Sequence, residues 1–563
     1  MGTTVPSLPV SACEAPQPSY AQVPGPLPVR TNPASPFSDG AVRTALHRRD
    51  LAALEDLSDR LWYQLPARYA RPLLDVLAHV PPRQLSDRPR LLVTGLLAHR
   101  FLHADDAAEV RRVERSHALH GARTEPRLAT IASAADAVSA GVLAMQAARW
   151  RGDHEAAERA GELTEARAEE QESLDPAVWA RAGSRRRPGL VALQRGLCRV
   201  AADDAAGATR HLEQAYAQAG PAPFQHFAGA AACGVLAMLA AERGHHRLAT
   251  TWLERLAALG PVPGWLDRYL LTGAFVAEAL LAVDRLDRPA AERALVRAGD
   301  GADATELWQH VATAWAAYEL TFRSPADALM RIDAAGFAHG AGRRPQEGDA
   351  RVLQRAYAEV LLLSGENTHT LAVLGDLSGR PERAAVAAAV HVRTGHEHRA
   401  IAVAARALRH AAATPRDLVD LNLVLAVAHL RDGDPDNAVA AFRRALDLRG
   451  YGLRRPFVTV PAPLLVELCR LARIDPATID VLVDGPTREA TTSSLPLVVL
   501  TLREREVLRA LADGGSTSAI ARALHVSPNT VRTHVKSLYR KLGAQSRDAA
   551  LARGAELGFL AGD

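Results

Sequence analysis

Lysine is almost missing from this chain of 563 residues: Lys536 and Lys541 stand alone in a total of 67 lysines and arginines. Both fall within "SPNTVRTHVKSLYRKLG", Ser527 to Gly543. A phosphate-cradling loop of the form G-x-x-x-x-G-K-[ST] therefore has no lysine left to use, and a P-loop ATPase is excluded from the chain as read. A phospho-receiver domain normally needs an active-site lysine too, and no alternating strand-helix pattern offers one a place. Cysteine is scarce: Cys13, Cys198, Cys233 and Cys469 include no pair at metal-ligand spacing. Neither a zinc site nor a disulfide framework is expected, and a reducing compartment fits. No run of 18 apolar residues occurs. The nearest, "FAGAAACGVLAMLAA" at Phe227 to Ala241, is short and built of small residues, so it reads as a buried helix. There is no basic segment leading into an apolar core at the N-terminus. The expectation is a cytoplasmic protein without a membrane partner. Arginine and alanine in place of lysine fit a GC-rich genome, with an actinobacterial source the natural reading.

What is present has a marked order. Residues 1–40 carry nine prolines and few apolar anchors. Such a segment buries too little surface to offset its ordering entropy, so it reads as a disordered tail. Residues 41–474 show apolar residues at helical spacing between short Gly, Asp and Pro turns, an all-helical body. A frame recurs within it. Ala438, Phe442 and Ala445 lie at i, i+4 and i+7, twelve residues after Ala426. Gly196 precedes Ala208, Leu212 and Ala215; Ala237 precedes Ala249, Leu253 and Leu256; Ala144 precedes Ala156, Ala160 and Leu163. "GHEHRAIAVAARAL" supplies Ala400, Ala404 and Ala407. Small residues at these places let two helices approach closely while the larger one fills the next groove. The frame resembles degenerate tetratricopeptide repeats, a generic alanine-rich bundle being the alternative. "LLDVLAHVPPRQLSDRPRLL", from Leu73, resembles the start of the repeat region in large MalT-like regulators. Residues 475–496, punctuated by Pro476, Gly485, Pro486 and Pro496, read as a linker.

Charge concentrates at the far end. Between Thr501 and Arg547 nine cationic residues face three acids, a local +6 in a chain whose total is +4. A basic end on a nearly neutral body is the footprint of nucleic-acid contact, against the blander reading of a solvated helix surface. Three helix starts are legible there. Thr501 with Glu504 forms a capping box, Ser516 follows Gly514-Gly515, and Ser527 precedes Pro528. Two short helices and a longer third, joined by "HVS", describe a helix-turn-helix. At about 100° per residue, Val531, Val535, Leu538 and Leu542 form one stripe, while Asn529, Arg532, Thr533, Lys536 and Arg540 share the opposite, cationic side. His534 and Tyr539 flank the stripe as boundary residues. An α-helix fits the major groove, where Arg and Lys donate to guanine, Asn pairs with adenine and a Thr methyl meets thymine.

The strings "LTLREREVL", "IARAL", "SPNTVRTHV" and "LYRKL", followed by Ser546-Arg547, strongly resemble the C-terminal helix-turn-helix of LuxR-type (LuxR/FixJ) transcription regulators over residues 497–563. The resemblance implies base contacts from Arg532, Thr533 and Lys536, and the shared helix face adds Asn529 to them. The resemblance implies phosphate contacts from the neighbourhood of Ser516, Thr517, Thr530 and Lys541, and the cationic face adds Arg540. It also implies a fourth helix that pairs two domains on a two-fold site. Ala519 departs from the family, which usually has Glu there, and this puts a contact or cap of the second helix in doubt. The fold expected is thus all-α, a tetratricopeptide-like α-solenoid followed by a small four-helix LuxR-type helix-turn-helix domain.

The functional expectation is a DNA-binding transcription regulator, an activator of a gene cluster, with secondary metabolism the class the resemblance brings to mind. Its partners would be double-stranded DNA with a two-fold operator, RNA polymerase, a protein or small-molecule effector on the repeat body, and a second copy in a homodimer. The alternative is a scaffold that binds partner proteins through the solenoid and uses the C-terminal domain only to dimerise. No catalytic, metal or cofactor site is expected: "HEAAE" at His154 and "GHEHRA" at Gly395 are not H-E-x-x-H and fall on repeat turns or helix starts.

Overall fold

The computed structural model describes residues 39–61, 63–103, 106, 108–110, 112–114, 116, 121, 125–131, 133–174, 188–219, 227–300, 306–339, 351–375, 380–449, 452–475, 502–524, 526–556 and 560. The tail expected over residues 1–40 lies outside them except for its last two positions, where helix Asp39–Arg48 begins. All of the expected linker but residue 475 lies outside them as well. Every regular element among the described residues is helical, as the all-α reading requires. None of the described helices is long and apolar enough to cross a membrane.

The backbone divides into two units. The first comprises residues up to 241 with 247–277 and 296–311. It opens with helices Leu51–Arg60, Gln64–Ala78 and Pro89–Leu102 around Leu54, Leu65, Leu73 and Leu91, so the segment beginning at Leu73 is a true packing element. Helical hairpins follow: Ala134–Trp150 with His154–Leu174, and Leu190–Ala201 with Ala205–Ala219. Ala208, Leu212 and Ala215 are fully buried, as their frame predicts. A Cβ on Gly196 would sit 2.7 Å from Leu212 Cγ, so the small residue is what allows these two helices their separation.

Two positions of the repeat frame fall differently. Leu163 is 39% exposed, because the buried stripe of its helix runs through Ala156, Ala157, Ala160, Gly161 and Thr164. In helix His246–Ala258 the buried bulk is Trp252, not Leu253. Its indole meets the Tyr216 ring edge-on at 5.5 Å and carries the Arg255 guanidinium 4.5 Å from its centroid. Both shifts have one cause: residues three and four apart straddle one turn of a 3.6-residue helix and residues seven and eight apart straddle two, and the bulkier or better-fitting neighbour takes the inner place.

The second unit comprises residues 242–246, 278–295 and 312 onward. Hairpins Pro381–Arg393 with Glu397–Leu408 and Pro415–Arg431 with Pro435–Arg449 enclose Ala400, Ala404, Leu423, Ala426, Phe442 and Phe457. Helix Pro415–Arg431 starts in a reciprocal capping box between Thr414 and Asp417. Charge is buried here. Arg416 donates to both carboxylate oxygens of Asp284, at 3.0 and 2.5 Å, and His246 Nε2–H donates to the same carboxylate at 2.8 Å. Arg355 reaches Glu359 and Asp417 at 2.9 Å and also Asp420, while Arg455 reaches Glu359 at 3.0 Å. None of these residues stands out in the sequence. Their burial follows from packing between segments far apart in the chain, which helical periodicity does not register.

Candidate nucleic-acid interface

The last four described helices are Leu502–Ala512, Thr517–Ala523, Pro528–Leu542 and Arg547–Glu556. Their starts follow the sequence. Ser516 Oγ accepts the Ala519 N–H at 3.2 Å, so the second helix is capped in spite of the alanine at 519. Ser527 Oγ accepts the Thr530 N–H at 3.1 Å, with Pro528 first in the helix, where a missing N–H is no loss. The third helix ends at Gly543, whose φ of 63° is the left-handed conformation a glycine adopts without strain. The capping box expected at Thr501 falls outside the described residues.

A compact apolar centre joins the four: Val507, Leu508, Leu511, Ile520, Val531, Leu538, Leu542 and Ala550. Val535 and Tyr539 pack against its edge, and His534 is half-buried, consistent with boundary roles. The opposite side of helix Pro528–Leu542 presents Asn529, Arg532, Thr533, Lys536 and Arg540, all exposed. Two of them are ordered by their own helix: Arg532 Nη1 donates to Asn529 Oδ1 at 3.2 Å, and Thr533 Oγ1 donates to the Asn529 carbonyl at 3.0 Å. Of the residues expected at phosphates, Ser516 is exposed at its cap, and Thr517 and Thr530 are half-buried at helix starts.

Lys541 stands apart. Its Nζ donates to Glu504 Oε2 at 2.6 Å, and Ser537 Oγ donates to Glu504 Oε1 at 2.8 Å. Glu504 is only 3% exposed. This buried carboxylate ties the first helix to the third, a role the sequence reading missed. The signal was there: Glu504, Val507, Leu508 and Leu511 fall at i, i+3, i+4 and i+7, so the acid shares the inward face. Two further cations act internally, Arg503 on the Leu524 carbonyl and Arg547 on the Leu511 carbonyl. Arg509, Arg522, Arg532, Lys536 and Arg540 remain exposed, and they supply the positive surface.

Residues 498–553 match the family model of bacterial regulatory proteins of the luxR family. The chain's C-terminus carries a LuxR-family helix-turn-helix domain. Over 72 residues it is 50% identical to a probable transcriptional regulatory protein NarL of Mycobacterium tuberculosis, covering 13% of this chain and 33% of that protein. Over 57 residues it is 51% identical to a probable transcriptional regulatory protein SgaR of Hyphomicrobium methylovorum, 10% of this chain and 27% of the relative. A nitrate/nitrite response regulator protein NarP of Escherichia coli is 49% identical over 55 residues, 10% of this chain and 26% of its own length. The chain thus spans a third or less of these relatives.

Proposed function

We propose that the protein is a DNA-binding transcription regulator that activates a gene cluster, of the secondary-metabolism class, by reading a two-fold operator as a homodimer. The observation that carries this reading is the exposed cationic side of helix Pro528–Leu542 on a LuxR-family domain. Asn529, Arg532, Thr533 and Lys536 read base edges in the major groove. Ser516, Thr517, Thr530, Arg540 and Lys541 hold phosphates, with Lys541 shared between the backbone and Glu504. Phosphate contacts supply most of the affinity and make it steeply salt-dependent; base contacts choose the sequence. One such domain offers few base contacts, which is why a pair on two half-sites is the working form. The helical body, read as tetratricopeptide-like repeats, receives the signal, and contact with RNA polymerase completes activation. No step of this reading needs a cofactor or a catalytic residue.

The test is a pull-down of genomic fragments by the full-length protein, with the Arg532→Ala/Lys536→Ala variant beside it. Enrichment of a two-fold site that the variant loses supports the regulator. Equal enrichment by both, or none by either at low salt, overturns it in favour of a scaffold whose C-terminal domain only dimerises.

A further inference from the structure

The second unit holds a cavity of about 140 Å³ among helices Arg351–Leu363, Pro381–Arg393, Pro415–Arg431 and the segment Arg455 to Leu464. Native cores leave few voids larger than a water molecule, and an apolar void near this size accommodates a benzene-sized guest. Its wall is apolar through Leu362, Val386, Leu423, Val427 and Leu464. Its charges are segregated. On helix Pro415–Arg431 the lining positions are Asp420, Leu423, Val424, Val427 and Arg431, one face of the helix. At 1.5 Å per residue this sets the acid and the arginine about 16 Å apart with only apolar residues between them.

The acidic end is already occupied by cations. Asp420 is held by Arg355, and Glu359 by Arg355 and Arg455. The other end is cationic: Arg393, buried at the end of its helix, and Arg431, exposed at the mouth with Nη1 on the Val392 carbonyl at 2.7 Å, both line the cavity. Burial first, and then the positive charge of Arg431, push the Arg393 guanidinium below its ordinary value. An anion at this end relieves that repulsion, whereas a second cation adds to it. Guanidiniums also suit carboxylate geometry, in which two parallel N–H bonds meet two oxygens.

We propose that this cavity binds a small apolar carboxylic acid, its hydrocarbon body against Leu362, Val386, Leu423 and Val427 and its carboxylate at Arg393 and Arg431. The site gives the signal-receiving role proposed above a chemical class of effector, and it rests on that reading for its purpose though not for its binding.

The experiment is calorimetric titration of the full-length protein with phenylacetate, and with hexanoate as competitor. Phenylacetamide and 2-phenylethylamine serve as neutral and cationic matches of the same body. Expected are one phenylacetate per chain displaced by hexanoate, affinity at least about tenfold weaker for the amide, and no heat from the amine. Arg431→Ala, at an exposed position, weakens phenylacetate binding about tenfold. Val424→Phe and Leu464→Trp, which fill the cavity from half-buried positions, abolish it, with thermal melts establishing that each variant is folded. No binding of either acid up to about 10 mM, amide or amine binding as tight as acid, or unchanged binding in folded Arg431→Ala and Leu464→Trp each overturns the proposal. Operator binding is measured on the same preparations. Acid binding without operator binding retires the regulator and leaves the cavity standing; operator binding without acid binding retires the cavity alone.

Discussion

Arginine does opposite work in the helical body and in the C-terminal domain. In the body Arg355, Arg416 and Arg455 lie inside, each held by carboxylates of distant segments. In the LuxR-family domain Arg532, Arg540 and their neighbour Lys536 lie outside on one helix face. A count of charge does not separate these uses, since the same guanidinium is a cross-link when desolvated and a reader of phosphate or base when wet. The mildly basic total conceals a body that holds Arg355, Arg416 and Arg455 on internal carboxylates and a domain that offers Arg509, Arg522, Arg532, Lys536 and Arg540 outward.

The sharpest way to break that comparison is to strip a buried cation of its partner. Asp284→Asn keeps the size of the side chain but leaves Arg416, 7% exposed, without its carboxylate. Removing one member of a buried pair costs about 3–5 kcal/mol. The denaturant midpoint of the body should fall accordingly in urea titrations followed by circular dichroism. The outward-facing cations should behave in reverse. Arg532→Ala/Lys536→Ala should leave that midpoint within experimental error and weaken operator binding by about 2–4 kcal/mol, roughly 30-fold or more, in salt-controlled fluorescence anisotropy. A large stability loss in the second variant, or none in the first, would collapse the distinction.

A pH titration sharpens it further. Burial pushes the Asp420 carboxyl up to about 6, against the pull of Arg355 and with the help of Glu359. The folded body therefore holds a proton between the ordinary carboxylate range and about pH 6 that the unfolded chain has released, so stability falls as pH rises through that window. Glu359 behaves oppositely. Burial opposes its ionisation, but Arg455 and Arg355 together bring it down to about 2, and its contribution is lost as pH falls from the ordinary range through that value. Denaturant midpoints measured from pH 3 to pH 8 should pass through a maximum, and Asp420→Asn should flatten only the high-pH limb. A high-pH limb that persists in the variant places the proton elsewhere.

How much of this was open to a reader of the sequence divides along the same line. The helix-turn-helix is local: caps at Ser516 and Ser527, the stripe Val531, Leu538 and Leu542, and the opposite polar face are set within single turns, and each falls where the spacing puts it. The hairpin frame is nearly local, so Ala400, Ala404, Ala438 and Phe442 are found buried while Leu163 and Leu253 are displaced by competition between adjacent turns. Arg416 meets Asp284 across 132 residues, and the cavity by Arg393 needs four segments at once. Periodicity carries no record of such meetings. Glu504 lies between these cases: its place on the inward face was legible, but its partners Ser537 and Lys541, 33 and 37 residues away, were not.

The smallest expected effect tests the local side alone. Ser527→Ala removes the oxygen that accepts the Thr530 N–H and touches the Thr530 hydroxyl at 2.8 Å, yet it leaves every exposed cation of the third helix in place. Loss of such a cap costs about 1 kcal/mol. Because the start of this helix carries Asn529 and Thr530, fraying there should reach operator binding as well as stability. Hydrogen exchange of the amides at 529–532 should rise while those at 538–542, packed on Leu508 and Leu511, stay protected. If exchange rises equally along the whole helix, its first turn is not a separate unit, and the reading face stands or falls with the core beneath it.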